Sequence, residues 1–266
     1  MSEPIEREVT GIIAVLGHPE ELQSGFPWSV ALARQAGVPL TLLHIIDPVT
    51  NVELAENAIA MAQDMLSLLA TSRAIDGLAL RTRVETGMPE AVIPKIAAEA
   101  QGTVLVLAAG EHGAFARSLL HRGRENVIHQ LRSPFVLLPP RVQPPAQVAR
   151  AVLGVDGSAL ANQAAPIAWS LAPGVAIVEV EVLEPGAVPI DEYLAFVPQF
   201  SESRIRMRGR AGIVILSAAR ATDADLIVVG GHGTTGRHLG GTAQWLSHNA
   251  DRPLLVVPEG PATPGG

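Results

Sequence analysis

The sequence predicts an α/β protein made of two tandem copies of one unit, each with a five-stranded parallel sheet flanked by helices. Three observations support this prediction. Short aliphatic runs of strand length alternate with longer stretches in which apolar residues recur at helical spacing. The same landmarks occur twice, in the same order, along the 266 residues. Hydrophobic residues form 48% of the chain and aromatic residues only 3%, so both cores must be aliphatic.

In the first copy, predicted strands and helices alternate. Aliphatic runs bounded by turn residues predict strands at 11–16, 39–46, 79–85, 103–109 and 134–138. Apolar residues at helical spacing predict helices near 24–36, 51–74, 89–100 and 122–131. Because parallel strands need crossover connections, this alternation predicts a parallel sheet with right-handed crossovers.

The second copy repeats five landmarks of the first. They are the first strand with its turn (10–18 and 150–158), the second strand (37–48 and 174–185), a single glycine (Gly87 and Gly209), a Gly-x-His-Gly turn (110–113 and 230–233) and the last strand between prolines (134–139 and 253–258). Such a series indicates an internal duplication. The second copy is shorter between its second and third strands, where we interpret 186–203 as a loop or a stub of helix.

A proline-rich stretch between the copies predicts the domain boundary, since such sequences form stiff connectors. We place the first domain at 1–140, the linker at 141–147, the second domain at 148–259 and a tail at 260–266.

Composition and missing motifs exclude several function classes. The net charge of −7 argues against nucleic acid as the main partner. No apolar stretch approaches the roughly 20 residues that span a membrane, and the acidic start lacks the order of a signal peptide, so the cytoplasm is the default location. The chain has no cysteine for thiol chemistry, and its single lysine, Lys95, excludes a phosphate-binding Gly-x-x-x-x-Gly-Lys loop. The histidines lack metal-ligand spacing, so no metal site is predicted.

The stretch from Asp225 to Pro258 has the clearest functional pattern. A buried strand leads into a glycine-rich turn and then a predicted helix, near 243–250, for which Thr242 is the expected cap. This order presents backbone N–H groups to an anion. The segments 230–233 (Gly-Gly-His-Gly) and 240–242 (Gly-Gly-Thr) resemble the Gly-x-x-Gly, spacer, Gly-Ser/Thr nucleotide signature of the universal stress protein family.

The resemblance covers nearly the whole chain and implies a tandem universal stress protein. It implies two Rossmann-like domains of the adenine nucleotide alpha hydrolase-like type, each with strand order 3-2-1-4-5. In that family the last strands commonly pair across a dimer. Two fused copies could make this pairing within one chain, through 134–138 and 253–257, as a pseudo-dimer that also covers a sheet edge. A homo-oligomer is the alternative assembly.

For the second copy, the resemblance implies a site for ATP or another adenine nucleotide. Asp156 is expected near the adenine and ribose, and the Val182 backbone against the base. The phosphates are expected against four glycines and a hydroxyl, at Gly230, Gly233, Gly240, Gly241 and Thr242. Mg²⁺ is expected only together with ATP. The alternative reading of 156–158 is a turn that only caps the following helix.

The glycine loop departs from the family pattern because the segment from Gly233 to Pro253 is short. Counted back from Pro253, Gly240 and Gly241 take the Gly-Ser positions. Matched by residue type, Gly241 and Thr242 take them. The short loop leaves AMP, ADP or another small anion as alternatives to ATP.

The first copy lacks the carboxylate, since Leu16 stands where the second copy has Asp156. Its loop, 110–124, has spacing closer to the signature but ends in Gly123-Arg124 instead of Gly-Ser/Thr. Three arginines lie in this loop and could contact phosphates or form a solvated surface: Arg117, Arg122 and Arg124.

These features lead to one function hypothesis and two alternatives. The first is a cytosolic stress-response protein of regulatory or sensor type, without catalytic residues, that binds a nucleotide and presents a changed surface to a protein partner. The second is a scaffold that keeps the fold and the dimer without nucleotide. The third is a slow ATPase, which the absent lysine loop and the lack of a triad around His112 or His232 argue against.

Overall fold

A computed structural model of the chain describes residues 9–17, 19–47, 55–108, 127–156, 159–183, 204–231 and 239–258. The first half contains β1 (Gly11–Val15), α1 (Pro19–Ala36), β2 (Leu40–Ile46), α2 (Ala55–Ala70), a 3₁₀ helix (Arg73–Ile75), β3 (Leu80–Thr86), α3 (Pro89–Glu99), β4 (Thr103–Ala108), α4 (Val127–Gln130) and β5 (Phe135–Leu138). The second half contains β6 (Arg150–Val155), α5 (Ala159–Leu171), β7 (Ala176–Leu183), β8 (Arg204–Arg208), α6 (Ala211–Ala221), β9 (Leu226–Gly230), α7 (Gly241–Asn249) and β10 (Leu254–Val257).

The strands predicted for the first copy are confirmed to within one residue at each described end. The first helix begins at Pro19, before the predicted residue 24, because proline suits the first position of a helix. The predicted helix 51–74 is shorter in the structure. It ends at Ala70, and Ser72 then caps the 3₁₀ helix by accepting a hydrogen bond from the Ala74 amide at 3.2 Å. Residues 122–126 and the shortened interval 184–203 lie outside the described part.

In the part of the chain that the structure describes, ten strands form one sheet in the order β3-β2-β1-β4-β5-β10-β9-β6-β7-β8. Each half therefore has the order 3-2-1-4-5, and its strands are parallel. The halves meet where β5 and β10 pair antiparallel, with Val136 opposite Leu255. The predicted pairing of the last strands is confirmed. Because of this pairing, the two five-stranded sheets form one continuous ten-stranded sheet.

The helices cover the sheet on two faces with an aliphatic core under each. One core cluster joins α1, α2 and α5 to the sheet, through residues such as Leu32, Leu66 and Ala168. The other joins α3, α4, α6 and α7, through residues such as Ile93 and Leu246. Because strand side chains alternate between faces, the aliphatic strands supply both cores at once. No helix among the described residues combines the length and the apolar character needed to cross a lipid bilayer.

Contacts outside the sheet also tie the two halves together. The Gln35 side chain at the end of α1 donates to the Val148 carbonyl and accepts from the Val148 amide, each at 2.9 Å. The Val9 amide donates to Ser170 Oγ at 2.8 Å, so the start of the first half is fixed to α5. The junction is therefore built from helices and connecting segments as well as from the β5–β10 pair.

The two outer strands present opposite faces to the core. Leu80 and Val84 of β3 pack in the core cluster that includes α2. Ile205 and Met207 of β8 pack in the other cluster, together with α6. The remaining face of β8 carries Arg204, Arg206 and Arg208, two of which pair with acidic residues of β7. The shortened half thus has a charged ladder on the face of its outer strand that, in the first half, is half-buried under α2.

Candidate functional site

Three predicted site residues lie at the carboxyl ends of adjacent strands. Strand β6 lies between β7 and β9. Val155 of β6 pairs with Glu181, so Asp156, the next residue, lies level with Val182. Gly230 ends β9 on the other side of β6. Because neighbouring strands are about 4.8 Å apart, the structure brings these three positions to one edge of the sheet.

The two side chains at this edge have different surroundings. Asp156 is exposed, directly after β6. Val182 is half-buried and packs against the core cluster that includes α6. The backbone of Val182 lies at this edge, one residue before the end of β7. A carboxylate and a strand backbone side by side offer hydrogen-bond acceptors and a donor to a ligand lying across the edge.

The glycine loop is closed at its base by two short backbone hydrogen bonds. The Gly240 amide donates to the Gly231 carbonyl at 2.7 Å, and the Gly231 amide donates to the Val257 carbonyl at 2.7 Å. Gly233 lies between these points, at a position outside the described residues. A Cβ atom on Gly231 would lie 2.8 Å from the Cα atom of Pro258. Only glycine fits there. In the sequence, this requirement is visible as the second glycine of the Gly230-Gly231 pair at the end of β9.

Helix α7 begins earlier than predicted, at Gly241 with Gly240 as its cap. The predicted capping role of Thr242 is therefore wrong, since Thr242 lies in the first turn of the helix. Gly240 precedes the helix with an extended backbone (φ −57°, ψ 151°), and its amide closes the loop. The first helical bond runs from the Gln244 amide to the Gly240 carbonyl, at 2.9 Å. The amides of residues 241–243 precede that bond, which is the arrangement that receives anions at a helix start.

Packing fixes the position of this helix start. Trp245 lies directly against Gly212 of α6, where a Cβ atom would collide with the indole ring. Ala243 and Leu246 are buried in the core beneath the helix. Leu239, just before the cap, is also buried, and its amide donates to His129 Nδ1 of the first half at 3.1 Å. The helix start is thus held from both halves.

Among the described residues, the space at the side-chain position of the first helical residue is open. A Cβ atom on Gly241 would meet no described atom within 4 Å. The start of the helix also carries a partial positive charge. The second half combines this space, the amides of the first turn and the carboxylate of Asp156 at neighbouring positions. This combination suits a ligand with a phosphate at one end and hydroxyl or amino donors at the other.

The corresponding strand end of the first half carries a buried side chain. Leu16, which follows β1, is fully buried. Its Cδ2 atom lies 3.3 Å from the place where a Cβ on Gly25 of α1 would be. His44 hydrogen-bonds the Leu16 carbonyl through Nδ1 at 2.7 Å, and since a carbonyl only accepts, Nδ1 is the donor. The loop residues 110–124 with their three arginines lie outside the described part.

A cavity elsewhere in the molecule does not coincide with the predicted site. A cavity of about 570 Å³ lies between α1 and the linker, near Val30, Pro145 and Pro173. Its main polar lining residues already hold the structure together, since Gln35 bonds Val148 and Arg34 donates to the Asp76 carbonyl at 3.1 Å. Among the described residues, no group of three or more His, Asp and Glu side chains forms a metal site.

Comparisons with known proteins agree with this architecture. A sequence model of the Universal stress protein family matches residues 11–139 and 181–258. A universal stress protein from Archaeoglobus fulgidus has a similar solved structure, with a TM-score of 0.68, 15% identity, and coverage of 95% of this chain and 99% of that one. A functionally unknown protein from Pseudomonas aeruginosa PAO1 gives a TM-score of 0.65 at 16% identity, over 95% of this chain and 94% of that one. At such identities the likeness concerns the fold alone. No curated protein matches the chain in sequence.

Proposed function

The chain belongs to the universal stress protein family, and from this premise we propose that it is a regulatory or sensor protein that binds an adenine nucleotide in its second half without turning it over. The observation that supports the proposal most directly is the open helix start at Gly241 beside the exposed Asp156. In the first half the residue at the equivalent strand end, Leu16, is buried and has no carboxylate. We therefore propose one nucleotide per chain.

Each end of the nucleotide has a suitable partner in this arrangement. The phosphates accept hydrogen bonds from the amides of the first turn of α7, where the helix dipole favours negative charge. The carboxylate of Asp156 accepts from a ribose hydroxyl or from the adenine amino group. Gly230, Gly233, Gly240 and Gly241 allow the backbone to approach the phosphates closely, because they have no side chain. Mg²⁺ accompanies the ligand only when that ligand is ATP.

Regulation follows if ligand-bound and ligand-free states differ in the glycine loop. A ligand that binds the closed loop more tightly shifts the protein towards that state, and a protein partner can then distinguish the two surfaces. The proposed setting is the cytoplasm. We propose neither nucleic acid nor a membrane as a binding partner.

The direct test is titration calorimetry with ATP, ADP and AMP on the wild type and on Asp156→Ala. We expect about one site per chain and roughly a tenfold loss of affinity in the variant, since charge-assisted hydrogen bonds contribute about 1.5 to 3 kcal/mol. Asp64→Ala is the matched control, because it removes another exposed carboxylate from α2, away from the site. Binding that is unaffected by Asp156→Ala would contradict the assigned role of this residue.

The scaffold alternative is favoured by one observation, namely that the β5–β10 pair completes the junction without any ligand. It predicts no change in melting temperature with millimolar ATP, ADP or AMP, so the same proteins in a thermal-shift assay separate the two functions. The ATPase alternative requires product formation above that of a Gly233→Val, Thr242→Ala double variant in a nucleotide hydrolysis assay.

A further inference from the structure

His129 of the first half is in direct contact with the base of the glycine loop of the second half. It lies in the short helix α4, just before β5. Its Nδ1 atom accepts a hydrogen bond from the Leu239 amide at 3.1 Å, across 110 residues of sequence. Leu239 immediately precedes Gly240, which caps α7 and closes the loop through Gly231. The contact therefore joins the first half to the point where the loop becomes the helix.

The surroundings of this contact make it a defined attachment. Leu239 is only 6% exposed and belongs to the same core cluster as Val127, Ile128 and Leu131, which flank His129. Leaving a buried amide without a hydrogen-bond partner costs about 1 to 3 kcal/mol, so the bond to His129 Nδ1 stabilises this position of the Leu239 amide. An acceptor at Nδ1 also fixes the tautomer, because the proton of the neutral ring must then lie on Nε2.

We propose that His129 is a positioning residue for the anion site of the second half, so that the nucleotide affinity of one half depends on a side chain of the other. The inference rests on the proposed function. Without His129, Leu239 is free to turn its amide towards solvent. The cap at Gly240 and the amides of residues 241–243 behind it then lose one of the contacts that fix their direction. The glycine-built site binds only when these amides point together, because a phosphate needs several donors at once.

Two substitutions of His129 separate its acceptor from its bulk. His129→Asn places an amide oxygen where Nδ1 was, whereas His129→Ala leaves the Leu239 amide without this acceptor. We expect His129→Ala to bind ATP about two- to tenfold more weakly than the wild type in titration calorimetry, which corresponds to the loss of one hydrogen bond. We expect His129→Asn to bind within about twofold of the wild type. Amide hydrogen exchange by NMR, in the absence of ligand, is expected to be about tenfold faster at Leu239 in His129→Ala only.

A stability control distinguishes positioning from general weakening. Ile93→Val removes one methylene group from the same core cluster, in α3 of the first half, and leaves the Leu239 contact in place. It is expected to lower the melting temperature without changing ATP affinity.

If His129→Ala binds ATP as tightly as the wild type, or if Ile93→Val weakens binding to the same extent, the inference is overturned and the proposed function stands. If the wild type binds no nucleotide, the proposed function fails, and the effect on affinity fails with it. If the hydrogen exchange rate of the Leu239 amide were also unchanged in His129→Ala, the claim that His129 holds this amide in place would fail as well.

Discussion

Leu16 and Asp156 occupy the same place in the two halves, directly after the first strand, but their environments are opposite. Leu16 is 0% exposed and packs against α1, while His44 bonds its carbonyl oxygen. Asp156 is exposed beside the open start of α7. Leu16 thus contributes to the core, whereas Asp156 lies at the surface. The duplicated fold thus supports two uses of one position, and the choice depends on a single side chain and its neighbours.

The largest expected effect comes from exchanging the two residue types. Leu16→Asp is expected to lower the free energy of unfolding by about 3 to 5 kcal/mol, because it buries a carboxylate where apolar contacts were. The reciprocal change, Asp156→Leu, is expected to alter it by less than about 1 kcal/mol, because that side chain is exposed. Guanidinium unfolding measures both. A loss below 1 kcal/mol for Leu16→Asp would mean that the first half has an open edge after all.

An intermediate effect is expected at the glycines of the second half. Gly231→Ala is expected to cost about 1 to 3 kcal/mol of unfolding free energy, since the new methyl group would overlap the Pro258 backbone. Gly241→Ala is expected to be neutral or slightly stabilising, because the space there is open and alanine favours helix. Its ATP affinity should nevertheless fall, since the methyl group enters the proposed phosphate site. Equal effects on stability would remove the distinction between a packed and an open glycine.

The smallest effect is expected on the charged ladder of β7 and β8. Arg206 donates to Glu181 at 2.7 Å, but its side chain is 65% exposed. Arg206→Ala is therefore expected to cost about 0.2 to 1 kcal/mol, less so in 1 M salt, because water and ions screen exposed pairs. Urea unfolding at low and high salt checks this. A larger and salt-independent loss would indicate that the ladder is covered in the same way as β3 is by α2.

Much of the fold followed from the sequence because its determinants are local. Continuous aliphatic runs such as 103–108, bounded by turn residues, are typical of strands that are buried on both sides, and the repeated landmarks indicated the arrangement of the second half. The pairing of β5 with β10 was anticipated from the family resemblance, together with the need to cover a sheet edge.

The features that the sequence did not reveal depend on contacts between distant residues. The start of α7 at Gly241 reflects the use of the Gly240 amide in closing the loop. The bond from Leu239 to His129 spans 110 residues, and no local pattern marks either partner. The absence of a carboxylate at Leu16 was visible, but its complete burial against α1 is a product of packing. Whether the predicted residues hold a nucleotide remains a prediction.

The antiparallel junction of β5 and β10 has an evolutionary consequence. When two identical subunits meet about a twofold axis, every substitution appears at both sites, so the sites cannot diverge. Here the same kind of pairing lies within a single polypeptide, and each substitution affects one side alone. A leucine could be selected at residue 16 without any cost to the aspartate at residue 156. Covalent fusion thereby allowed the residue after the first strand to become a core leucine in one half and an exposed aspartate in the other.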